Sequence, residues 1–426
     1  MSLIDRDKKV IWHPYTQMKL YGDVIPIVRG KGAYLISETG DKYIDAVSSW
    51  WVTLHGHAHP HIVNALHEQA STLEQVIFAG FTHPKAVELA ERLLKVLPDN
   101  QSRIFYSDNG STAVEVAIKM ALQYWKNIES TKNRIIAIEG AYHGDTFGAM
   151  SVSERSAFTK PFTEKLFEVD FIPFPERNKE QAALSHFEKL ISQGNTAAFI
   201  FEPLVQGAAG MRMYDKQVLK KLLDLCKKHS VLSIADEVMT GFGRTGKMFA
   251  MEYVQEKPDI VCLSKGITAG FMPFGTTTCT SEIYNAFYSD DVMKTFFHGH
   301  SYTGNPLACA IACASLDVFE TEKTLEKITQ IESSHQLFRK EISNYPCVKN
   351  IRILGTILAF EIDSSKTGYF NEIGKQAYNY FIENNVLLRP LGNVIYILPP
   401  YCITQEELNE VYQVITSFLQ KISSVE

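Results

Sequence analysis

The chain has 426 residues, with 42 Lys plus Arg against 48 Asp plus Glu for a formal net charge of -6, 45% hydrophobic residues and 21% charged. At about 100–200 residues per domain this allows two or three globular domains and excludes a disordered, collagenous or coiled-coil architecture. The mild acidity, with no long Lys/Arg run, leaves no electrostatic footprint for nucleic acid.

The N-terminus, MSLIDRDKKVIWHPYT, has no apolar signal core after its charges, so a cytoplasmic location is expected. Short β-rich runs follow at Val24–Arg29, Ala33–Ser37 and Lys42–Asp45. HGHAHPH (His55–His61) lacks the helical i, i+4 spacing of a zinc peptidase motif and reads as a hydrogen-bonded loop, so no metal is expected.

From about residue 100 to 280, runs at Arg103–Ser107, Arg134–Gly140, Ala197–Leu204, Val231–Val238, Asp259–Lys265 and Phe274–Thr280 alternate with segments long enough for helices. That alternation predicts an α/β domain with a mainly parallel sheet covered on both faces. Ser111–Lys126 repeats Ala113, Val116, Ala117, Met120, Ala121 and Tyr124 at helical spacing. Gly110, Ser111 and Thr112 are suited to capping its start. The most apolar stretch, Leu307–Leu316, is too short for a bilayer that needs about 20 apolar residues.

After residue 315 come a long helical stretch, runs at Ile351–Ile362, Val386–Arg389 and Val394–Leu398, and a final helix from Glu406. We read the division as 1–60, an N-terminal part of a small α+β domain; 61–315, a large domain; and 316–426, the rest of the small one. The seven cysteines form no C-x-x-C pair and read as buried reduced thiols.

In open α/β sheets ligands bind at the carboxyl ends of the strands. The runs lead there into SDNGSTAVE, YHGDTFG, Glu202, Asp236-Glu237 and Ser264-Lys265-Gly266. A desolvated lysine loses ammonium pKa and becomes available for Schiff-base chemistry, which suits Lys265. Asp236 supplies the carboxylate that keeps a pyridine nitrogen protonated. Gly110-Ser111 offers a helix N-terminus to a phosphate, and Tyr142 a ring to stack on. Together these four features describe a site for pyridoxal 5'-phosphate. GFGRTG (Gly241–Gly246) matches a dinucleotide fingerprint, but Asp236 to Thr240 intervene after the strand, and the match is discounted.

SDNGSTAVEVAIKMA, YHGDTFGAMS, FEPLVQGAAGM, ADEVMTGFGRTGKMFA, LSKGITAG and HGHSYTGNPLACA resemble, in order and spacing, the class III aminotransferases of fold type I. The resemblance covers nearly the whole chain. It implies a mainly parallel seven-stranded sheet, pyridoxal 5'-phosphate carried on Lys265, and Asp236 on the ring nitrogen. It places Tyr142 and Val238 on the ring faces and Gly110 and Ser111 on the phosphate. It also implies a homodimer in which the block from His298-Gly299 brings His300 and Ser301 into the neighbour's site, with Gly299 beside the substrate.

WHPYTQM (Trp12–Met18), SSWW (Ser48–Trp51) and LLRPLGNVIYILPPY (Leu387–Tyr401) further resemble the biotin-pathway branch, which converts 8-amino-7-oxononanoate to 7,8-diaminononanoate. Arg389 offers a planar fork to the distant carboxylate. Trp50, Trp51 and Tyr15 suit the methylene chain, with Tyr15 also at the reacting end, and Tyr396 adds a hydroxyl near Arg389. Core packing is the competing reading of Trp51, since neighbours in an extended segment face opposite ways. Relatives that exchange glutamate commonly have an acid where this chain has Ala208, so a different donor is expected: S-adenosylmethionine, with lysine as the alternative. Another ω-amino acid or diamine transaminase, and a catalytically silent binding protein, are the rival readings.

Overall fold

In this computed structural model, residues 1–20, 22–363 and 372–424 are described. The alternating runs form one sheet of seven strands: β1 (Gln101–Ser107), β2 (Arg134–Ile138), β3 (Asp170–Ile172), β4 (Thr196–Phe201), β5 (Leu232–Asp236), β6 (Ile260–Leu263) and β7 (Gly275–Thr280). They lie side by side as β1-β7-β6-β5-β4-β2-β3. Neighbours from β6 to β3 pair in parallel, whereas β7 is antiparallel to both β6 and β1. Six strands thus point one way. The strand absent from the sequence runs is β3, whose three residues at the sheet edge are too few to show a period.

Helices cover both faces, so β4, β5 and β6 are buried at every position. Strand alternation divides the side chains: Ala198 and Ile200 join the core under helix Gly110–Asn127, and Phe199 and Phe201 join the core on the other face. All six helical-period residues from Ala113 to Tyr124 are buried. The cap itself is Asn109, one residue earlier than expected. Its backbone is extended and its Oδ1 accepts from Thr112 N at 3.0 Å, while Thr112 Oγ1 accepts from Asn109 N at 3.0 Å. Gly110 and Ser111 are therefore the first helical residues, whose N–H groups have no intrahelical acceptor.

Ile27–Lys31, Tyr34–Ser37 and Lys42–Asp45 form an antiparallel sheet, and Val386–Leu387 joins it parallel to Lys42–Asp45. The first strand sits two to three residues later than Val24–Arg29. The run Ile351–Ile362 is a hairpin, Val348–Leu354 with Ile357–Ile362, extended by Val394–Ile397. Its turn uses Gly355 at φ +58, where a Cβ would fall 2.1 Å from Gly246 N, so only glycine fits. Leu307–Leu316 lies within helix Pro306–Thr321, buried along most of its length. Among the described residues no helix is long and apolar enough to cross a membrane.

Candidate active site

The carboxyl ends of five strands converge on one cavity of about 570 Å³. Asn109, Gly110 and Ser111 come from β1, Tyr142, His143 and Asp145 from β2, Glu202 from β4, Asp236 and Val238 from β5, and Ser264 and Lys265 from β6, with Trp51 closing one side. Tertiary structure thus brings together Lys265, Asp236, Tyr142, Val238, Gly110, Ser111 and Trp51.

Lys265 follows β6 with φ 44, a left-handed conformation rare for a non-glycine. Ser264, just before it, donates to Phe274 O at 2.6 Å and pins the turn. The Lys265 Nζ lies 4.7 Å from the centroid of the Trp51 ring. Burial lowers its ammonium pKa, against the opposing pull of Asp236 and Glu202 and with help from the Arg244 charge.

Asp236 ends β5 and is 4% exposed. Its Oδ1 accepts from Val238 N at 3.0 Å, and its Oδ2 lies 2.6 Å from His143 Nδ1. His143 Nε2 is buried and finds no hydrogen-bond partner among the described residues. His143 was not among the expected site residues, although it stands next to Tyr142 in YHGDTFG. Glu202 is buried too, accepting from Tyr142 N at 3.1 Å and Gly207 N at 3.0 Å. Burial, with Asp236 adding to it, pushes the Glu202 carboxyl up to about 7.

Asp145 is a second omission from the sequence reading. Its Oδ2 accepts from Tyr15 at 2.6 Å and from Tyr142 at 3.0 Å, and its N–H donates to Ser111 Oγ at 3.2 Å. A Cβ on Gly110 would sit 2.9 Å from Val238 Cγ1. Absence of that atom lets the free helix N-terminus pack against Val238, which is itself tied to Asp236. A helix start, an apolar face at Val238 and a buried carboxylate are therefore contiguous, with a lysine amine in the same cavity, and this donor set fits pyridoxal 5'-phosphate.

Other expected residues lie apart. Ser48–Trp51 is a kinked turn, not an extended segment, with Ser49 at φ 60, ψ -85 and Trp50 at φ -131, ψ 58. Trp51 is buried and lines the lysine cavity, while Trp50 is exposed and lines a neighbouring one of about 730 Å³ together with Arg389. The Arg389 guanidinium lies 4.6 Å from the Trp50 ring, and Tyr15 meets the same ring edge-on at 5.8 Å. Tyr396 is buried and accepts from Trp51 Nε1 at 3.0 Å.

Gly299, His300 and Ser301 do not line this chain's own lysine cavity. His300 Nδ1 lies 3.1 Å from Asp108 Oδ2, and Gln75 donates to Ser301 O at 2.7 Å. No helix starts on GFGRTG, which runs through turns into the short 3-10 segment Ala250–Tyr253. Its Arg244 is buried and donates to Pro399 O, Trp51 O and Thr53 O. The expected histidine loop ends at His59, the N-cap position of a helix begun by Pro60 that takes in His61; His57, His59 and His61 bond separately to Asp45, Glu322 and Asp317.

Residues 18–419 match the family Aminotransferase class-III. The chain is 49% identical over 420 residues to the adenosylmethionine-8-amino-7-oxononanoate aminotransferase of Synechococcus elongatus, covering 97% of this chain and 99% of that protein. The crystal structure of the enzyme of the same name from Methanocaldococcus jannaschii superposes with a TM-score of 0.93 at 36% identity, covering 98% of each chain. An amine transaminase from an uncultivated Pseudomonas species, solved in its PLP-bound form, superposes at 0.90 with 30% identity over 97% of this chain and 98% of that one.

Proposed function

The chain belongs to the class-III aminotransferases, and from that footing we propose that it aminates 8-amino-7-oxononanoate to 7,8-diaminononanoate in biotin synthesis, with S-adenosylmethionine as donor. The observation that carries the reading is the joining of Lys265, Asp236 and the free helix start at Gly110 in one cavity, in a chain 49% identical to an enzyme named for that reaction.

Pyridoxal 5'-phosphate is the family's cofactor, and when bound it supplies an electron-accepting ring and carries the amino group between the two half-reactions. The N–H groups of Gly110 and Ser111 would hold its phosphate, Asp236 its ring nitrogen, Tyr142 and Val238 its faces, and Lys265 its aldehyde carbon. Lys265 would be the base that removes a proton from the donor carbon and the acid that returns one. Its lowered pKa favours the neutral amine that this task requires. The Asp236 carboxylate, fixed in place by His143 and the Val238 amide, would keep the ring nitrogen protonated. Tyr15 and Tyr142 converge on Asp145 at the cavity mouth, where a donor amine enters.

Arg389 binds the far carboxylate of the oxo acid, and Trp50 and Trp51 guide its chain; Tyr396, which lines neither cavity, acts through the Trp51 indole that it holds. The active form is a homodimer in which Gly299, His300 and Ser301 serve the neighbouring cavity; their position outside their own supports this assignment. Strand pairing of Lys42–Asp45 with Val386–Leu387 supports taking 1–60 and 316–426 as one unit beside 61–315. Seven free thiols, six of them buried, accord with a reducing cytoplasm.

The test is a spectral half-reaction, in which the holoenzyme is mixed separately with S-adenosylmethionine, lysine and glutamate and its cofactor band followed. Conversion by S-adenosylmethionine, then reversal by 8-amino-7-oxononanoate, is the expected result. Conversion by lysine alone would reassign the donor, and conversion by glutamate alone would reject the biotin-pathway reading.

A further inference from the structure

The turn that carries the two indoles is strained. Ser48, Ser49 and Trp51 have φ of 51, 60 and 67, all in the left-handed region that non-glycine residues avoid. Such conformations persist where the surroundings over-determine them, and they gather at functional sites.

One buried carboxylate does most of the holding. Asp45, at the end of strand Lys42–Asp45, is 0% exposed; its Oδ1 accepts from Ser49 N at 2.8 Å and its Oδ2 from Ser49 Oγ at 3.1 Å. The same Oδ2 lies 2.8 Å from His57 Nε2, so the imidazole N–H donates to it. Ser48 Oγ donates to Leu398 O at 2.8 Å and anchors the other side of the turn.

Backbone glycines bring His57 to that place. His57 exchanges backbone hydrogen bonds with Gly32 at 2.8 and 3.1 Å, and Gly32 has φ +57. A Cβ on Gly30 would lie 2.7 Å from His57 Cβ, and one on Gly56, at φ +90, would lie 2.4 Å from Cys402 Sγ. Three glycines in Gly30-Lys31-Gly32 and His55-Gly56-His57 thus serve one contact. The strained result sends Trp51 to Lys265 and Trp50 to Arg389.

We propose that Asp45 and His57 form a positioning pair which holds the Trp50–Trp51 turn as the partition between the lysine cavity and the Arg389 cavity, and so sets acceptance of the long-chain oxo acid. The assignment of that substrate rests on the proposed function. Neither residue lines the cavity at Lys265, so neither touches the reacting atoms. Trp51 has its own anchors, donating from Nε1 to Tyr396 at 3.0 Å and accepting from Arg244 at its carbonyl, whereas the pair bonds the turn at Ser49, next to Trp50; the acceptor half-reaction is therefore where loss of the pair appears.

The test compares full-length holoenzyme carrying His57→Ala, His57→Gln or Asp45→Asn with the wild type. In His57→Ala the donor to Asp45 is gone; glutamine reaches as far as imidazole Nε2 and restores an N–H. Expected for His57→Ala is a rise in KM for 8-amino-7-oxononanoate of about tenfold, bounded at ~150-fold by full loss of the charge-assisted contact at Arg389. The donor half-reaction and kcat stay within twofold, and His57→Gln returns the KM to near wild type. Indole emission of the folded protein shifts in His57→Ala and Asp45→Asn and not in His57→Gln.

Equal slowing of both half-reactions, or alanine and glutamine behaving alike, would overturn the proposal. Should His57→Ala fail to fold, Asp45→Asn decides by the same KM split. Failure of the substrate reading is separate: the wild type itself would then leave the oxo acid unreacted, and the emission comparison would still judge the pair.

Discussion

Replacing Glu202 with glutamine measures how strongly the cavity resists a second negative charge beside Asp236. The folded carboxyl titrates at about 7 against an ordinary 4.5, with burial the largest cause. A carboxyl pKa raised by folding means that the folded state holds more protons than the unfolded state between those values, so stability falls as pH rises through that window. The gap is worth about 3 kcal/mol, absent below pH 4.5 and fully felt above about pH 8. Glutamine removes this dependence but has one acceptor oxygen where Tyr142 N and Gly207 N occupy two. Its NH₂ would face one of these donors, a cost of about 1–3 kcal/mol at every pH.

The two terms act oppositely, and their balance reverses with pH. At pH 5, where the wild type has lost about 1 kcal/mol of this, Glu202→Gln should be the less stable protein by up to ~2 kcal/mol, and at pH 8.5 it should equal or exceed the wild type. For a chain of this length, at ~2.1 cal/mol/K per residue, a 3 kcal/mol swing is about 3–4 °C in melting temperature. The assay is the melting temperature of cofactor-free wild type and variant from pH 5 to 8.5, plotted as their difference. Glu237, also pushed up to about 7 by burial, is common to both proteins and cancels. A difference that stays flat across this range would refute the argument, because it would mean that Glu202 is ionised, or neutral, throughout.

Lys265→Ala should lose the visible absorption of lysine-bound cofactor and, from proton transfer alone, about 10²–10⁴-fold in turnover; a spectrum unchanged from wild type would remove Lys265 from its role. Gly110→Ala places a methyl 2.9 Å from Val238 Cγ1 and should weaken pyridoxal 5'-phosphate retention in equilibrium dialysis; retention equal to wild type would remove the close packing of Gly110 on Val238 from the argument. Arg389→Ala should raise KM for the oxo acid by about 10–150-fold, the value of a charge-assisted hydrogen bond of ~1.5–3 kcal/mol, and leave the donor half-reaction unaltered. Equal loss in both halves would make Arg389 structural or a donor ligand as well.

Much of the site was legible because its chemistry sits where local pattern ends. An apolar strand that stops at Asp236, another that stops at Lys265, and small residues opening a helix at Gly110 are visible without neighbours, since strand alternation and helical period are local properties. Asp170–Ile172 escaped because three residues hold no period. The cap moved to Asn109 because capping depends on one residue's φ and ψ, which composition does not specify.

His143, Glu202 and Asp145 were within quoted motifs yet unassigned, for their roles depend on which strand lies beside which. His143 meets Asp236 across 93 positions of chain, and Tyr142 meets Glu202 across 60. The partition of Trp50 from Trp51 needed three-dimensional facts too: a buried Asp45, a histidine brought in by glycines, and left-handed backbone that these contacts stabilise. Residue order therefore pointed to six of the seven strands and to the lysine and the acid proposed to hold the cofactor. Tertiary structure decided which side chains hold them and where each indole points, because desolvation and hydrogen-bond geometry arise from distant segments packed together.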